Sequence, residues 1–559
     1  MLLLPSFRSF SLRGGAAVAI AVAGAVALLA TVQGCGGGGG ATAIVPTPAP
    51  PAALPSVDIS AVTVADPGST LAPNWEHGAT MQIFVRSYAD SDGDGHGDLR
   101  GLMGKLDYLA ALGIKALWLL PVHKSQDGDH GYAVADYRGI ETAYGSLADF
   151  DELLRQAHAR GIGVTLDYVM NHSAATNPLF THSRDSAANS YRDWFVWQSP
   201  APTGWSLFGG NPWRSTANGA YYAPFWDQMP DWNLLNPAVV NYHANNLRFW
   251  LNRGVDGFRF DAVGNLVENG PNAQENQPRS VSLMGEMRAV MNAYSQRSLV
   301  CEAPGDVVAF GAANSCGSAF AFGLQGRIIA AARGDVAAIQ AVSDYFKTAP
   351  TTRATFLSNH DSFAGDRPWN QLGGNLAQLK LAAATLLLLP GRPFIYYGEE
   401  LGMANAATIA DDGKLRSPMS WAPDSARAGF TTGAPYRALS ANVSTHNAQT
   451  ELAEPASLLA HYRSLLALRN ASPALARGSY EQAFVSGAVM GYQRVLGAAR
   501  SLVLINYGNS EATLDVAALP ANAHLSNAWP AGAASAAANA SGVARLSVAA
   551  QSARVWSLP

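Results

Sequence analysis

The chain is 559 residues long, 48% hydrophobic, and carries 37 Lys and Arg against 41 Asp and Glu, for a formal charge of −4. That length supports several domains or one large barrel with additions, so burying a core is no difficulty. A near-neutral balance without a long Lys or Arg run argues against nucleic acid as a partner.

The N-terminus reads as an export signal over residues 1–34. Arg8 and Arg13 precede the apolar run "GAAVAIAVAGAVALLATV", and "QGC" follows as a small-residue processing site. A single membrane span is the competing reading, but the run meets Cys35 and a Gly stretch without basic flanking residues. "VQGC" resembles a bacterial lipobox with an unusual Gln33, which implies an exported protein, periplasmic or at the cell surface and lipid-anchored at Cys35. Residues 35–73, as in "GGGGGATAIVPTPAPPAALP", are Gly, Ala and Pro with almost no charge and read as a tether. Beyond that anchor no membrane contact is expected, and a monomer is.

From "MQIFVRSYAD" onward, helical patterns lead into short apolar runs. "LMGKLDYLAALG" precedes "IKALWLLPV", "LADFDELLRQAHARG" precedes "IGVTLDYVMNH", "PAVVNYHANNLRFWLNRG" precedes "VDGFRFDAV", and "SLMGEMRAVMNAYS" precedes "RSLVCEAP". Repeated helix-then-strand units mean parallel pairing, and their number predicts an α/β chain built on a closed (β/α)8 TIM barrel over 74–172 and 234–474. Residues 173–233 break the alternation with aromatics, Gly and Asn, as expected of a subdomain inserted after the third strand. In 475–559 the runs alternate with period two between turn residues, which predicts a C-terminal antiparallel β-sandwich.

Charged groups gather where the strands end, the catalytic face of such a barrel. They are Asp167 and His172 in "DYVMNH", Arg259 and Asp261 in "GFRFDAV", Glu302 in "VCEAPGD", and His360 and Asp361 in "FLSNHD". Each alone fits a satisfied polar group at a strand end; the set together does not. In "DSDGDGHGD", Asp90 to Asp98, oxygen ligands at alternate positions with turning glycines suit a hard cation, Ca²⁺ above all. An EF-hand is a poor reading, since Gly101 stands at the twelfth position where a bidentate Glu is needed. Cys301 and Cys316 could pair in an exported protein, but spacing leaves this open.

These four strand-end segments, in this order, resemble the conserved regions of the α-amylase family of glycoside hydrolases (family 13). "QMPDWN" at Gln228 to Asn233 is similar to a further region in the form seen in the subgroup intermediate between α-amylases and oligo-1,6-glucosidases. "YRDWFVW", "PGRPFIYYGEELGM" and "RSPMSW" extend the likeness from about Trp75 to the C-terminus.

The resemblance implies Asp261 as nucleophile, Glu302 as general acid/base and Asp361 as the acid that holds the distorted sugar. Arg259 would keep Asp261 ionised and oriented. His172 and His360 would bond sugar hydroxyls, and Tyr132 in "HGY" would stack under the ring; Asp167, His130 and Arg416 complete the expected substrate site. It also implies structural Ca²⁺ on Asp90, Asp92, Asp94 and Asp98 with the backbone carbonyl of His96. Gly264 and Asn265 replace a basic residue and a histidine, and Cys301 replaces a glycine, whereas Ala262 matches members acting on α-1,4 bonds. In exo-acting members "GYD" supplies an aspartate that joins an arginine to wall off the pocket. Here Ala133 takes the aspartate's place beside Arg416, so the expected activity is internal cleavage of α-1,4-glucan. An exo-acting α-glucosidase or transglycosylase is the alternative, and a non-catalytic glycan-binding relative the third reading.

Overall fold

The computed structural model describes residues 57–558. The expected export signal, Cys35 and the first part of the expected tether lie outside the described residues, among which no helix is long and apolar enough to cross a membrane.

Parallel strands Ser298–Cys301, Gly257–Phe260, Gly163–Tyr168, Ala116–Leu119, Thr80–Ile83, Arg392–Tyr396 and Ala354–Thr355 pair in that spatial order. The two outer strands are joined through Ala319 and Phe320, which make parallel bridges to Cys301 and Ala354. That short segment is the eighth stave, and the sheet closes as a (β/α)8 barrel. Every one of the seven strands is buried along its whole length, as a parallel sheet with helices outside and side chains within requires.

The helices follow their sequence signals. Leu147–Ala159 starts at a reciprocal Ser146–Asp149 capping box and buries Phe150, Leu153, Leu154 and Ala157 on one face. Pro237–Asn252 begins with Asn236 as cap and proline in its first turn, where no N–H is missed. "LMGKLDYLAALG" is not one helix but two, Leu99–Met103 and Leu106–Leu112, because Lys105 leaves the helical region at φ −112°, ψ 2°.

The tether expectation needs correction at its C-terminal end. Residues 57–73 form no regular element, yet they lie bound along the barrel. Asp58 pairs with Arg138 at 2.8 Å, the Val62 amide donates to Asn245, and Asp66 accepts from Ser295. Leu71 packs with Trp75 and Ala116 in a small buried cluster. A low-charge segment without periodicity can still be ordered when the barrel supplies the partners.

The inserted span carries an antiparallel sheet of Trp197–Gln198, Gly219–Tyr222 and Trp213–Thr216. Its two ends return to the same barrel rim: the Ser173 amide donates to Pro230 and the Trp232 amide to Asn171. At the C-terminus a six-stranded antiparallel sheet built on Val489–Leu496, Ala499–Asn506 and Ser552–Leu558 faces the pair Ala512–Val516 and Ala544–Val548. Leu502, Leu504 and Trp556 of the first meet Val516, Leu546 and Val548 of the second in a separate core, the expected sandwich.

Candidate active site

Register builds the centre of the site. Gly163–Tyr168 pairs with Gly257–Phe260 so that Asp167 lies directly opposite Arg259, and alternation then puts Asp261 on the same inward face. Arg259 is 1% exposed and its guanidinium is shared. Nη1 donates to Asp167 Oδ1 at 2.7 Å and to Asp261 Oδ1 at 2.7 Å, while Nη2 donates to Glu302 Oε2 at 2.6 Å.

Ala262 follows at φ 44°, ψ 41°, a left-handed conformation costly for a residue with a Cβ. The turn aims the Ala262 amide at Glu302 Oε2, 3.1 Å away. Both donated bonds thus reach one oxygen of Glu302, and Oε1 is left to carry or release a proton. Asp261 is held through Oδ1 alone, which leaves Oδ2 able to attack.

Arg259 bonds Asp261 and favours its ionised form, as expected of it, but it serves more than one carboxyl. Arg259 grips Glu302 as closely as Asp261, so it does not distinguish them. Burial pushes the Asp261 carboxyl well up, and Arg259 only opposes this. Burial likewise raises Asp167 to about 6 against Arg259, and Asp361 to about 7 against Arg416. Asp167, Asp261 and Asp361 are thus pushed up together around two guanidiniums, so ionising all three at once is unfavourable.

A hydrogen-bonded chain orients the neighbours. The Gln82 amide donates to His360 Nδ1 at 2.8 Å, which leaves Nε2 protonated toward Tyr132 Oη at 2.7 Å; Tyr132 in turn donates to Asp167 at 2.8 Å. Trp118 Nε1 adds a bond to Asp167 at 3.1 Å. Tyr132 stacks on His360 with centroids 5.5 Å apart. Burial, with Arg416 and Arg259 beside it, keeps His360 neutral, and burial lowers His172 to about 3. His172 Nε2 has no hydrogen-bond partner among the described residues and remains a buried polar atom without a partner.

On the other flank, Arg416 donates from Nη2 to Asp361 at 3.1 Å and from Nε to the His360 carbonyl at 3.0 Å. Asp412, 3.5 Å from the same nitrogen, accepts the Ser362 amide and so ties the two loops together. His130 Nδ1 accepts the Tyr132 amide at 3.1 Å and lies 3.4 Å from Asp127. The structure therefore brings all ten expected catalytic and substrate residues to one rim. Gln82, Trp118 and Asp412 were missed: a polar residue and a tryptophan inside apolar strands are the only signals they leave.

The catalytic-domain profile of the α-amylase family, "Alpha amylase, catalytic domain", matches residues 82–478. The chain belongs to the α-amylase family of glycoside hydrolases. A "Probable alpha-glucosidase" of Rhizobium meliloti is 32% identical over 518 residues, with 80% of this chain and 92% of that protein covered. "Alpha-amylase 3" of Dictyoglomus thermophilum is 34% identical over 457 residues, with 79% and 87% covered. Among solved structures, the trehalulose synthase MutB from Pseudomonas mesoacidophila MX-45 superposes with a TM-score of 0.75 at 28% identity, covering 87% of this chain and all of that one. Relatives named for α-amylase, α-glucosidase and oligo-1,6-glucosidase activity together fit the intermediate subgroup that "QMPDWN" indicates.

In this family member the cysteine next to Glu302 has a partner: Cys301 and Cys316 form a buried disulfide, which the sequence left open. It joins the strand end that presents Glu302 to the segment leading into the eighth stave. The acidic loop after the first strand holds three of its aspartates together. Asp90, Asp92 and Asp98 each offer an oxygen within 4.8 Å of the others. Asp94 lies outside that group of three and accepts the His96 amide at 2.7 Å, as Asp92 accepts the Asp94 amide at 3.1 Å and Asp90 the Asp92 amide at 3.0 Å.

Proposed function

We propose that the protein is a retaining, exo-acting α-glucosidase on short α-1,4-linked maltooligosaccharides, with glucosyl transfer to acceptor sugars as the competing outcome. The observation that carries the mechanism is the single guanidinium of Arg259 bonded to both Asp261 and Glu302. Two carboxyls held this way suit the separation of about 5–5.5 Å of a retaining pair better than the roughly 6.5–9.5 Å that an intervening water needs.

Asp261 attacks the anomeric carbon as the glycosidic C–O bond breaks, and Glu302 gives its proton to the departing oxygen. In the second step Glu302, now ionised, takes a proton from water or from a sugar hydroxyl; that oxygen attacks the anomeric carbon and releases Asp261. The products keep the α configuration. Asp361, fixed by Arg416, and the neutral His172 and His360 bind the hydroxyls of the reacting sugar, and Tyr132 supplies the ring beneath it.

The exo reading is favoured over the internal cleavage expected from Ala133 by the relatives named α-glucosidase and oligo-1,6-glucosidase, and by the ion pairs that tie Arg416 between Asp361 and Asp412. A maltoheptaoside blocked at its non-reducing end and carrying a nitrophenyl group at the other tests it. Rapid release of α-glucose from unblocked maltotriose with no cleavage of the blocked chain is expected. Internal cleavage of the blocked chain would restore the endo reading, and first-formed β-glucose would remove the retaining one.

The Asp90, Asp92 and Asp98 carboxylates fit a Ca²⁺ ion as hard, closely spaced oxygen donors. Such an ion would brace the loop that leads from the first strand. Chelation is expected to lower Tm and added Ca²⁺ to restore it, since a ligand of the native state alone stabilises by mass action. Asp92→Ala should abolish the difference; a Tm indifferent to chelator would leave the loop a solvated acidic turn.

A further inference from the structure

Two loops meet at the His130 and Arg416 flank of the site. The first, from Ser125 to Tyr132, winds around Asp127, whose carboxylate accepts the amides of Asp129 at 2.8 Å, Gly131 at 3.0 Å and Ala133 at 2.9 Å. It ends in His130 and Tyr132 of the active site. The second runs from Asp412 to Arg416 and is fastened near its end: Ser87 Oγ donates to the Arg416 carbonyl and bonds Tyr436 Oη, both at 2.6 Å.

Arg437, next to Tyr436, crosses the gap. Its Nη2 donates to Asp129 Oδ1 at 2.6 Å, and a Cβ on Gly413 would lie 3.6 Å from its guanidinium carbon. The Asp129 carbonyl is held separately by Arg86 Nε at 3.1 Å. Asp129 and Arg437 both act electrostatically on His130, and Asp129 also on Arg416. A continuous rim results: Tyr132, His130, Asp129, Arg437, the Asp412 to Arg416 turn, and Asp361. The side chains of the ion pair are 35% and 15% exposed, so it sits at the lip rather than in the core.

The leaving group departs past Glu302, so the non-reducing end of a bound chain points toward this rim. We propose that the Asp129–Arg437 ion pair is the barrier that limits how many sugar units are accepted beyond the reacting glucose, doing at the lip what a side chain at Ala133 cannot. This inference rests on the exo reading and names its device. A bidentate-capable arginine, held beside Tyr436 and the Gly413 turn and clasped to a carboxylate of the facing loop, closes the path without occupying the sugar's own site.

The test compares kcat/KM on the blocked nitrophenyl maltoheptaoside with kcat/KM on nitrophenyl α-glucoside, in wild type and in Arg437→Ala, Asp129→Ala and the charge-reversed Asp129→Arg/Arg437→Asp. Each single variant is expected to raise that ratio at least about tenfold above the detection floor at which the wild type lies, the usual reach of one steric or polar discrimination element, and the reversed pair to bring it back to that floor. A ratio unchanged in singles that still hydrolyse nitrophenyl α-glucoside overturns the inference. So does a ratio that rises in the singles but stays high in the reversed pair, since that is general loosening of the loops. Rapid cleavage of the blocked chain by the wild type would instead overturn the exo reading itself, before any variant is compared.

Discussion

Glu302→Gln is expected to lower kcat on maltotriose by on the order of 10²-fold or more, with folding and sugar binding nearly unchanged. The geometry explains why the substitution is benign structurally. The amide oxygen can replace Oε2 and keep the bonds from Arg259 and Ala262, and the NH₂ takes the place of Oε1. What is lost is the transferable proton. The two steps should then separate by leaving group. Nitrophenolate departs without much acid help, so the first turnover on nitrophenyl α-glucoside stays fast and the second step slows, giving a burst. Asp261→Asn should show no burst and no covalent intermediate, because the attacking oxygen is gone. A Glu302→Gln enzyme keeping more than about a hundredth of wild-type kcat on maltotriose would defeat the assignment.

Arg259→Met should be the most destabilising single change at the site. It leaves Asp167, Asp261 and Glu302 without their shared donor in a buried position, and breaking one side of a buried charge network costs about 3–5 kcal/mol. The pH dependence carries a definite sign. Asp167 is raised to about 6 and Asp361 to about 7, against 3.8 unfolded. Raised acids stabilise fully below the unfolded value, and that stability is lost as pH climbs through the folded values. Arg259 lowers both groups, so its removal moves the loss to higher pH and deepens it. The Tm deficit of Arg259→Met is therefore expected to widen between about pH 5 and 8. A deficit constant across that range would mean that only packing was lost.

Much of the site was legible before any coordinates. Asp261, Glu302 and Asp361 each fall one or a few residues past an apolar run, and a parallel barrel sends such ends to one face. The period-two pattern of "GFRFDAV" already placed Arg259 and Asp261 on the same side. Which partner Arg259 takes was not legible, because that is set by the register of two neighbouring strands and by a left-handed turn at Ala262, neither of which composition or spacing encodes.

The sequence by itself determined the barrel, its C-terminal sandwich and the strand-end placement of Asp261, Glu302 and Asp361, because strand and helix periodicity and strand-end position are local properties of the chain. Tertiary structure decided the rest. Residues 57–73 lack any pattern, and only partners such as Arg138, Asn245 and Ser295 order them. Cys301 meets Cys316 because the chain folds back after Glu302 and, just past Cys316, supplies the eighth stave beside Cys301. Ala133 alone reads as a missing wall, whereas Arg437 reaches Asp129 from 308 residues away. Ion pairs of that separation form where anchored loops converge, and loop convergence follows from closing the barrel, not from the residues on either loop.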